Sequence, residues 1–348
     1  MVNAVRKRRR GTAGDLVYLH RDGAHALGPP SRVVEIEDLA GDRGDTPQAP
    51  LVSVGLPVYN GERYLERAAR SILDQEFTSL ELIIVDNASD DATRPIAERL
   101  AVSDSRVRYY RNPTNIGAAR NFCRAFELAR GRYFKWAAYD DWLEPAFLSS
   151  CVDVLDQEPG TVLVFPGTNI YDESGRFLRQ YRHPSGLTSG KVSQRFFHSL
   201  WNWKYATAVF GLMRTEALGQ TSLIQPYMGS DRILFSELVL LGDVRELPEH
   251  LFNSTETVSV RRGRSNAWWT AETESRPTFD RWHLLGDYLL LVARTPSFGF
   301  IVRLQMLGAV LGFFCRRWPR RALAGELREG VRHAWRSGSR PMRRRVRA

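Results

Sequence analysis

Between positions 51 and 137 the chain alternates two kinds of apolar pattern. The runs Val52-Ser53-Val54-Gly55-Leu56-Pro57-Val58 and Leu80-Glu81-Leu82-Ile83-Ile84-Val85-Asp86 are almost continuously apolar, as strands covered on both faces are. Between them, residues 62–75 place Leu65, Ala68, Ala69, Ile72 and Leu73 on one helical face, after a turn at Tyr59-Asn60-Gly61. A second helix is predicted from about 92 to 100, a third strand over 107–110, and a third helix carrying Phe122, Phe126 and Leu128. Arg132-Tyr133-Phe134-Lys135-Trp136-Ala137 gives a fourth strand. This alternation predicts an α/β fold, a Rossmann-like, mostly parallel central sheet flanked by helices and joined by right-handed crossovers.

The pattern is looser afterwards. Glu144-Pro145 opens a helix to about 157, since proline fits a first turn and an acid there complements the helix dipole. Residues 161–166 read as a strand, 169–175 as a turn, 183–190 as a loop near an acceptor and 205–213 as a late strand. Gly229-Ser230-Asp231-Arg232 then begins an apolar helix through Leu241. The last apolar stretch, residues 298–315, is interrupted by Arg303 and Gln305 and followed by Arg316, Arg317, Arg320 and Arg321. Three placements stay open for it: on a membrane surface, buried against the preceding domain, or spanning a bilayer. Spanning is the least favoured, because an arginine near the bilayer centre costs roughly 2.5 kcal/mol or more.

Composition fixes the class. The chain has 348 residues, 43% of them hydrophobic and 11% aromatic, enough for a substantial core. It divides into a flexible basic arm (1–49), a catalytic domain (50–265) and a helical, basic C-terminal region (266–348) that follows as a helical extension. The net charge of +10 is unevenly placed: residues 294–348 hold 14 arginines against Glu326 and Glu329, and Arg6, Lys7, Arg8, Arg9 and Arg10 lie in the first ten positions. Basic ends beside an apolar helix fit an anionic membrane surface better than a nucleic acid. No stretch near the start resembles a signal peptide, so the expected location is the cytoplasm, at the inner face of the membrane. Cys123, Cys151 and Cys315 form no CxxC pair, which argues against a zinc site or a disulfide framework.

Neither GxGxxG nor GxxxxGK[ST] occurs, which disfavours dinucleotide oxidoreductases and P-loop ATPases. The strand ends carry instead Tyr59-Asn60, Asp86, Asn115-Ile116-Gly117 with Arg120, and Asp140-Asp141. An open α/β sheet gathers such residues along its carboxyl edge. Adjacent carboxylates repel unless a cation lies between them, and a divalent metal holding a phosphate is the natural candidate.

Pro57-Val58-Tyr59-Asn60, Val85-Asp86-Asn87-Ala88-Ser89-Asp90-Asp91, Asn115-Ile116-Gly117-Ala118-Ala119-Arg120-Asn121 and Asp140-Asp141-Trp142, in this order and spacing, resemble a family 2 glycosyltransferase of GT-A fold over roughly residues 51–262. The resemblance implies inverting, metal-dependent transfer of a hexose-type sugar from a nucleotide diphosphate sugar, with Mg2+ or Mn2+. It implies that Tyr59 lies against the donor base, that Asp86 accepts a hydrogen bond from it, and that Arg120 helps hold the nucleotide. Pro57, Asn60, Asn115, Gly117 and Asp140 join the donor site, and Arg262 is a candidate to neutralise the leaving diphosphate. The family often has a further acid where this chain has Ala138, so the metal is expected mainly on Asp140, with Asp141 beside it and donor phosphates completing the shell. Asp231 is implied as the general base, a helix-capping role being its alternative, and Glu237 and Asp243 are nearby substitutes. The acceptor is expected to be a glycan or lipid-linked molecule of the cell envelope. Two other readings stay open: a nucleotidyltransferase, whose glycine-rich basic loop after the first strand is missing here, and a catalytically silent scaffold in polysaccharide assembly.

Overall fold

Strands β1 (Val52–Val58) and β2 (Leu80–Asp86) are buried at all of their seven positions in the computed structural model, as apolar runs between two helical layers should be. The structure describes residues 49–183, 187, 190–201, 206–256, 279–318 and 323–328. The basic arm, most of the 183–190 loop, and Arg262 with its neighbours Arg261 and Arg264 lie outside the described residues.

The elements that follow β1 are α1 (Leu65–Leu73), β2, α2 (Thr93–Ser103), β3 (Val107–Arg111), α3 (Ala118–Glu127) and β4 (Tyr133–Trp136). Then come β5 (Trp142–Leu143), α4 (Phe147–Gln157), β6 (Thr161–Asp172), β7 (Phe177–Tyr181), α5 (Val192–Trp201), β8 (Leu212–Arg214) and α6 (Thr215–Leu218). The last are α7 (Ser230–Leu241), β9 (Asp243–Glu256), α8 (Asp280–Arg294) and α9 (Phe300–Arg317). The sheet runs β3-β2-β1-β4-β8-β6-β9-β5, with β7 pairing β6. β1 to β4 are mutually parallel, as the strand and helix alternation predicts.

Strand alternation sorts the core into two layers. Leu80, Leu82 and Ile84 of β2 join the cluster containing α1, α2 and α4 residues, while Ile83 and Val85 join the one containing α3 and α7. Pro57 lies past the last β1–β4 pair, Gly55↔Trp136, so its missing N–H costs no bond to that neighbour.

Three expectations change. The helix expected from Glu144 starts at Phe147, because Trp142 and Leu143 first pair with β9. β6 does not stop at Pro166: it continues to Asp172 through register shifts at Pro166 and Gly167, which absorb the proline without ending the strand. At Gly167 a Cβ would come within 2.7 Å of the His250 imidazole, so a larger residue here would have to displace that ring. The strand expected over 205–213 is a 3-10 turn, Ala206–Phe210, followed by the short β8.

The C-terminal helices pack onto α5 and α7. Phe196 and Leu200 of α5, Ile233 of α7, Tyr288 of α8 and Val310 and Phe314 of α9 form one buried cluster. One face of the 298–315 stretch is therefore a packed interface. Among the described residues no helix is long and apolar enough to cross a membrane.

α7 ends at Leu241 and, after Gly242, the chain turns into β9, which is parallel to β6 from Thr161↔Asp243 onward. The C-terminal end of α7 thus sits at the start of these strands. Its N-terminal turn, with Asp231, is directed toward their carboxyl side, the side that β1, β2 and β4 also point to.

Candidate active site

The loops after β1 and β2 are stitched together by side chains. The Asn60 amide donates to Ser89 Oγ at 2.9 Å, the Asp90 amide to Asn60 Oδ1 at 3.0 Å, and the Gly61 amide to Thr93 Oγ1 at 2.8 Å. Asn60 and Ala88 have positive φ, 51° and 62°, and Ala88 has no polar side chain to compensate. A non-glycine residue in this region stores strain that the surrounding bonds must outweigh.

Asp86 organises this turn from the end of β2. Its Oδ1 accepts the Ser89 amide at 2.8 Å, and its Oδ2 accepts the Tyr109 hydroxyl at 2.9 Å and Arg111 at 2.5 Å. The residue is fully buried, so its carboxylate faces the chain itself in this conformation. Burial, together with the charge of Asp86, pushes the Tyr109 phenol upward, which keeps it a neutral donor.

An asparagine network fixes the third loop. Asn87 Nδ2 donates to Asn115 Oδ1 at 2.8 Å, while Asn87 Oδ1 accepts from the Ile116 amide and from Asn112 Nδ2. Asn112 also donates to Asn121 Oδ1, and Asn121 donates to the Val85 carbonyl. Gly117, at φ 84°, then starts α3, a backbone state that glycine adopts at little cost. Tyr59 is partly exposed and Arg120 exposed on the same edge. Pro57, Tyr59, Asn60, Asp86, Asn115, Gly117 and Arg120 are thus brought to one side of the sheet.

The two acids after β4 part company. Asp141 is 7% exposed, and its Oδ1 accepts the Thr255 amide at 2.8 Å. Burial first, and then the neighbouring charge of Asp140, raises its carboxyl well above the ordinary range. Asp140 is partly exposed, and its carbonyl is held by Thr255 Oγ1 at 2.6 Å and by Arg67 at 2.8 Å. The Arg67 guanidinium lies 4.0 Å from the centre of the Trp142 ring, a cation–π contact that orders it beside the acid. Lys135 is buried under this turn between Phe147 and Phe252, donates to the Phe210 carbonyl, and is lowered to about 7 by burial.

Among the described residues no three His, Cys, Asp or Glu side chains come together as a metal cluster. Of the two acids, Asp140 is the partly exposed carboxylate and so the residue that could meet a hard divalent cation.

Asp231 belongs to a second cluster. It lies in the first turn of α7 after Gly229, whose φ is 92°. Burial raises its carboxyl above the usual value, against the opposing pull of Arg232. The Arg232 guanidinium lies 5.3 Å from the centre of the Phe313 ring of α9. Nearby, Tyr227 donates to Asp287 at 2.5 Å and stacks on His283 at 5.5 Å, tying the approach to α7 to α8.

The model of the glycosyl transferase family 2 matches residues 53–221 of this chain. Residues 53–221 are a family 2 glycosyltransferase domain. Similar chains include an uncharacterized glycosyltransferase of Rickettsia bellii, 24% identical over 72% of this chain and 37% of its own length. Chondroitin synthase of Escherichia coli is 32% identical over 43% of this chain and 22% of its own length. The chain spans less than half the length of either relative. Among solved structures, S. aureus TarS in complex with UDP-GlcNAc superposes with a TM-score of 0.56 at 17% identity, covering 75% of this chain and 72% of that one. That similarity establishes the GT-A fold.

The glycosyltransferase domain as matched holds the β1 to β4 edge and the acid pair, while Asp231 and Thr255 lie beyond it. Sequence reasoning missed Thr255, Arg67 and Arg111. Arg111 had a readable signal, a cation at the end of a strand beside a buried acid. Thr255 had none, because β9 is rich in polar residues and does not read as a strand.

Proposed function

We propose that the chain transfers a sugar from a nucleotide diphosphate sugar to an acceptor hydroxyl, with inversion at the anomeric carbon. The observation that carries this reading is the stitched edge itself. Four motifs separated in sequence meet at the carboxyl ends of β1 to β4, where the register Val58↔Asp86 and Asp86↔Arg111 aligns their loops. In this reading Tyr59 stacks on the donor base and Asp86 shapes the loop that receives it. Arg120 holds the nucleotide, aided by the Gly117 turn and by Arg262.

Asp140 would hold Mg2+ or Mn2+ together with the donor diphosphate. Such a cation offsets charge that builds on the leaving nucleotide. Asp141 is assigned the structural part of the pair, since its oxygen is engaged by Thr255. The acceptor oxygen attacks the anomeric carbon, the bond from that carbon to the diphosphate oxygen breaks, and the hydroxyl proton passes to Asp231. A carboxyl raised by burial is a stronger base, which suits this role. Arg67 and Thr255 are assigned as positioning residues for Asp140. A cell-envelope glycan or lipid-linked molecule is the acceptor class we favour.

The test is to mix the full chain with a panel of nucleotide sugars and manganese and follow release of nucleotide diphosphate. One donor should be turned over well above the rest, and that donor's nucleotide diphosphate should raise the melting temperature. Failure of every donor to be hydrolysed or transferred, with no thermal shift, would favour a silent binding scaffold.

A further inference from the structure

The second face of α9 is apolar and open. Phe300, Ile301, Leu304 and Leu311 are 76%, 70%, 53% and 49% exposed, and they recur at helical spacing opposite the packed Met306, Val310, Phe313 and Phe314. Gly308 and Gly312 continue the stripe, and a Cβ at either would meet nothing within 4 Å. A surface helix ordinarily sets polar residues on its outer side, so a helix that is apolar on both sides needs a second partner.

The charges identify the partner. Arg316 and Arg317 are exposed at the C-terminal end of α9, and Arg294 is exposed at the end of α8. From Arg294 to the end, the chain holds 14 arginines against two acids. One of those acids, Glu326, is paired with Arg281 at 2.8 Å. A second copy of the chain would bring the same cations to face these, whereas an anionic lipid surface complements them and receives the apolar stripe at the depth of its acyl boundary. We propose that the face of α9 formed by Phe300, Ile301, Leu304 and Leu311 docks in the interfacial zone of an anionic bilayer, with Arg316 and Arg317 on the headgroups. This docking is independent of the transfer reaction, and its test does not read activity.

The experiment is flotation of the full chain with vesicles of phosphatidylcholine alone or mixed with phosphatidylglycerol, at low and high salt. Binding should require the anionic lipid and weaken with salt. Ile301→Ser/Leu304→Ser should bind about tenfold or more weakly, a loss of roughly 1.4 kcal/mol, while keeping the circular dichroism spectrum and melting curve of the parent. Arg316→Gln/Arg317→Gln should weaken binding and flatten its salt dependence. Equal binding by the serine variant, absence of binding to anionic vesicles, or a dimer in solution that the serine variant dissolves would each overturn the proposal.

Discussion

Thr255 bonds to both acids of the pair, giving its backbone amide to Asp141 Oδ1 at 2.8 Å and its hydroxyl to the Asp140 carbonyl at 2.6 Å. Thr255→Val keeps the first bond and removes the second. The expected stability loss is about 1 kcal/mol, the net worth of a hydrogen bond. Turnover of the donor should fall by roughly tenfold as Asp140 loses its position. Thr255→Ser should restore turnover, which a purely volumetric role for the side chain would not predict.

The unequal burial of the two acids separates their variants. Asp140→Asn should lower turnover by at least ~100-fold, the scale of a lost electrostatic contact to developing charge, with a melting temperature close to that of the parent. Asp141→Asn retains an oxygen for the Thr255 amide and should keep turnover within about threefold of the parent, because this side chain is buried and orders the turn. Steady-state rates and melting curves of the two variants, measured side by side, check the division.

Asp231 should set the acid limb of the rate profile. A base works only when deprotonated, and burial lifts this carboxyl above its ordinary value of about 3.9. The rate should therefore decline as pH falls through that raised value, at a higher pH than an exposed aspartate would give. Asp231→Asn should lower turnover by about 100-fold or more and remove the limb. A persisting limb in the variant would assign it to another group, with Glu237, raised to about 7 by burial, the nearest substitute.

Lys135 makes a prediction about stability. Its ammonium is lowered to about 7 in the fold and lies near about 10.4 in an unfolded chain. Between those values the unfolded chain binds a proton that the native chain does not, so this group's contribution to stability rises with pH across the window. The cost of burying the lysine is fully present below about pH 7 and fades toward the upper value. Lys135→Met should raise the melting temperature most near neutral pH, and the gap between variant and parent should close as pH approaches 10. Loss of the bond to the Phe210 carbonyl offsets part of the gain, by roughly 1 to 3 kcal/mol.

The first half of the fold was readable because its physics is local. β1 and β2 are almost continuously apolar and α1 shows one apolar face, so element type and order follow from periodicity alone. β5 and β9 were hidden for the opposite reason. Two residues make a strand at Trp142 only because β9 lies beside them, and β9 holds Asp243, Glu246, Glu249 and Asn253 in a mixed pattern that only sheet context turns extended. The site followed the same division. Asp86, Asn115 and Asp140 stand at strand ends that the pattern marks, whereas the inward turn of Asp141 depends on Thr255, 114 residues away. The apolar stretch near the end was visible as such, but composition could not tell its packed face from its open one.

β9 runs without a break from the residue after Gly242 to the contact with the acid pair. The helix carrying Asp231 and the turn carrying Asp140 are thereby joined by a ruler of fixed length. A single inserted or deleted residue between Phe252 and Thr255 would reverse which side chains face the sheet's two layers and withdraw the Thr255 amide from Asp141. Between Phe252 and Thr255, past the last register shift against β6, this strand can exchange residues only one for one.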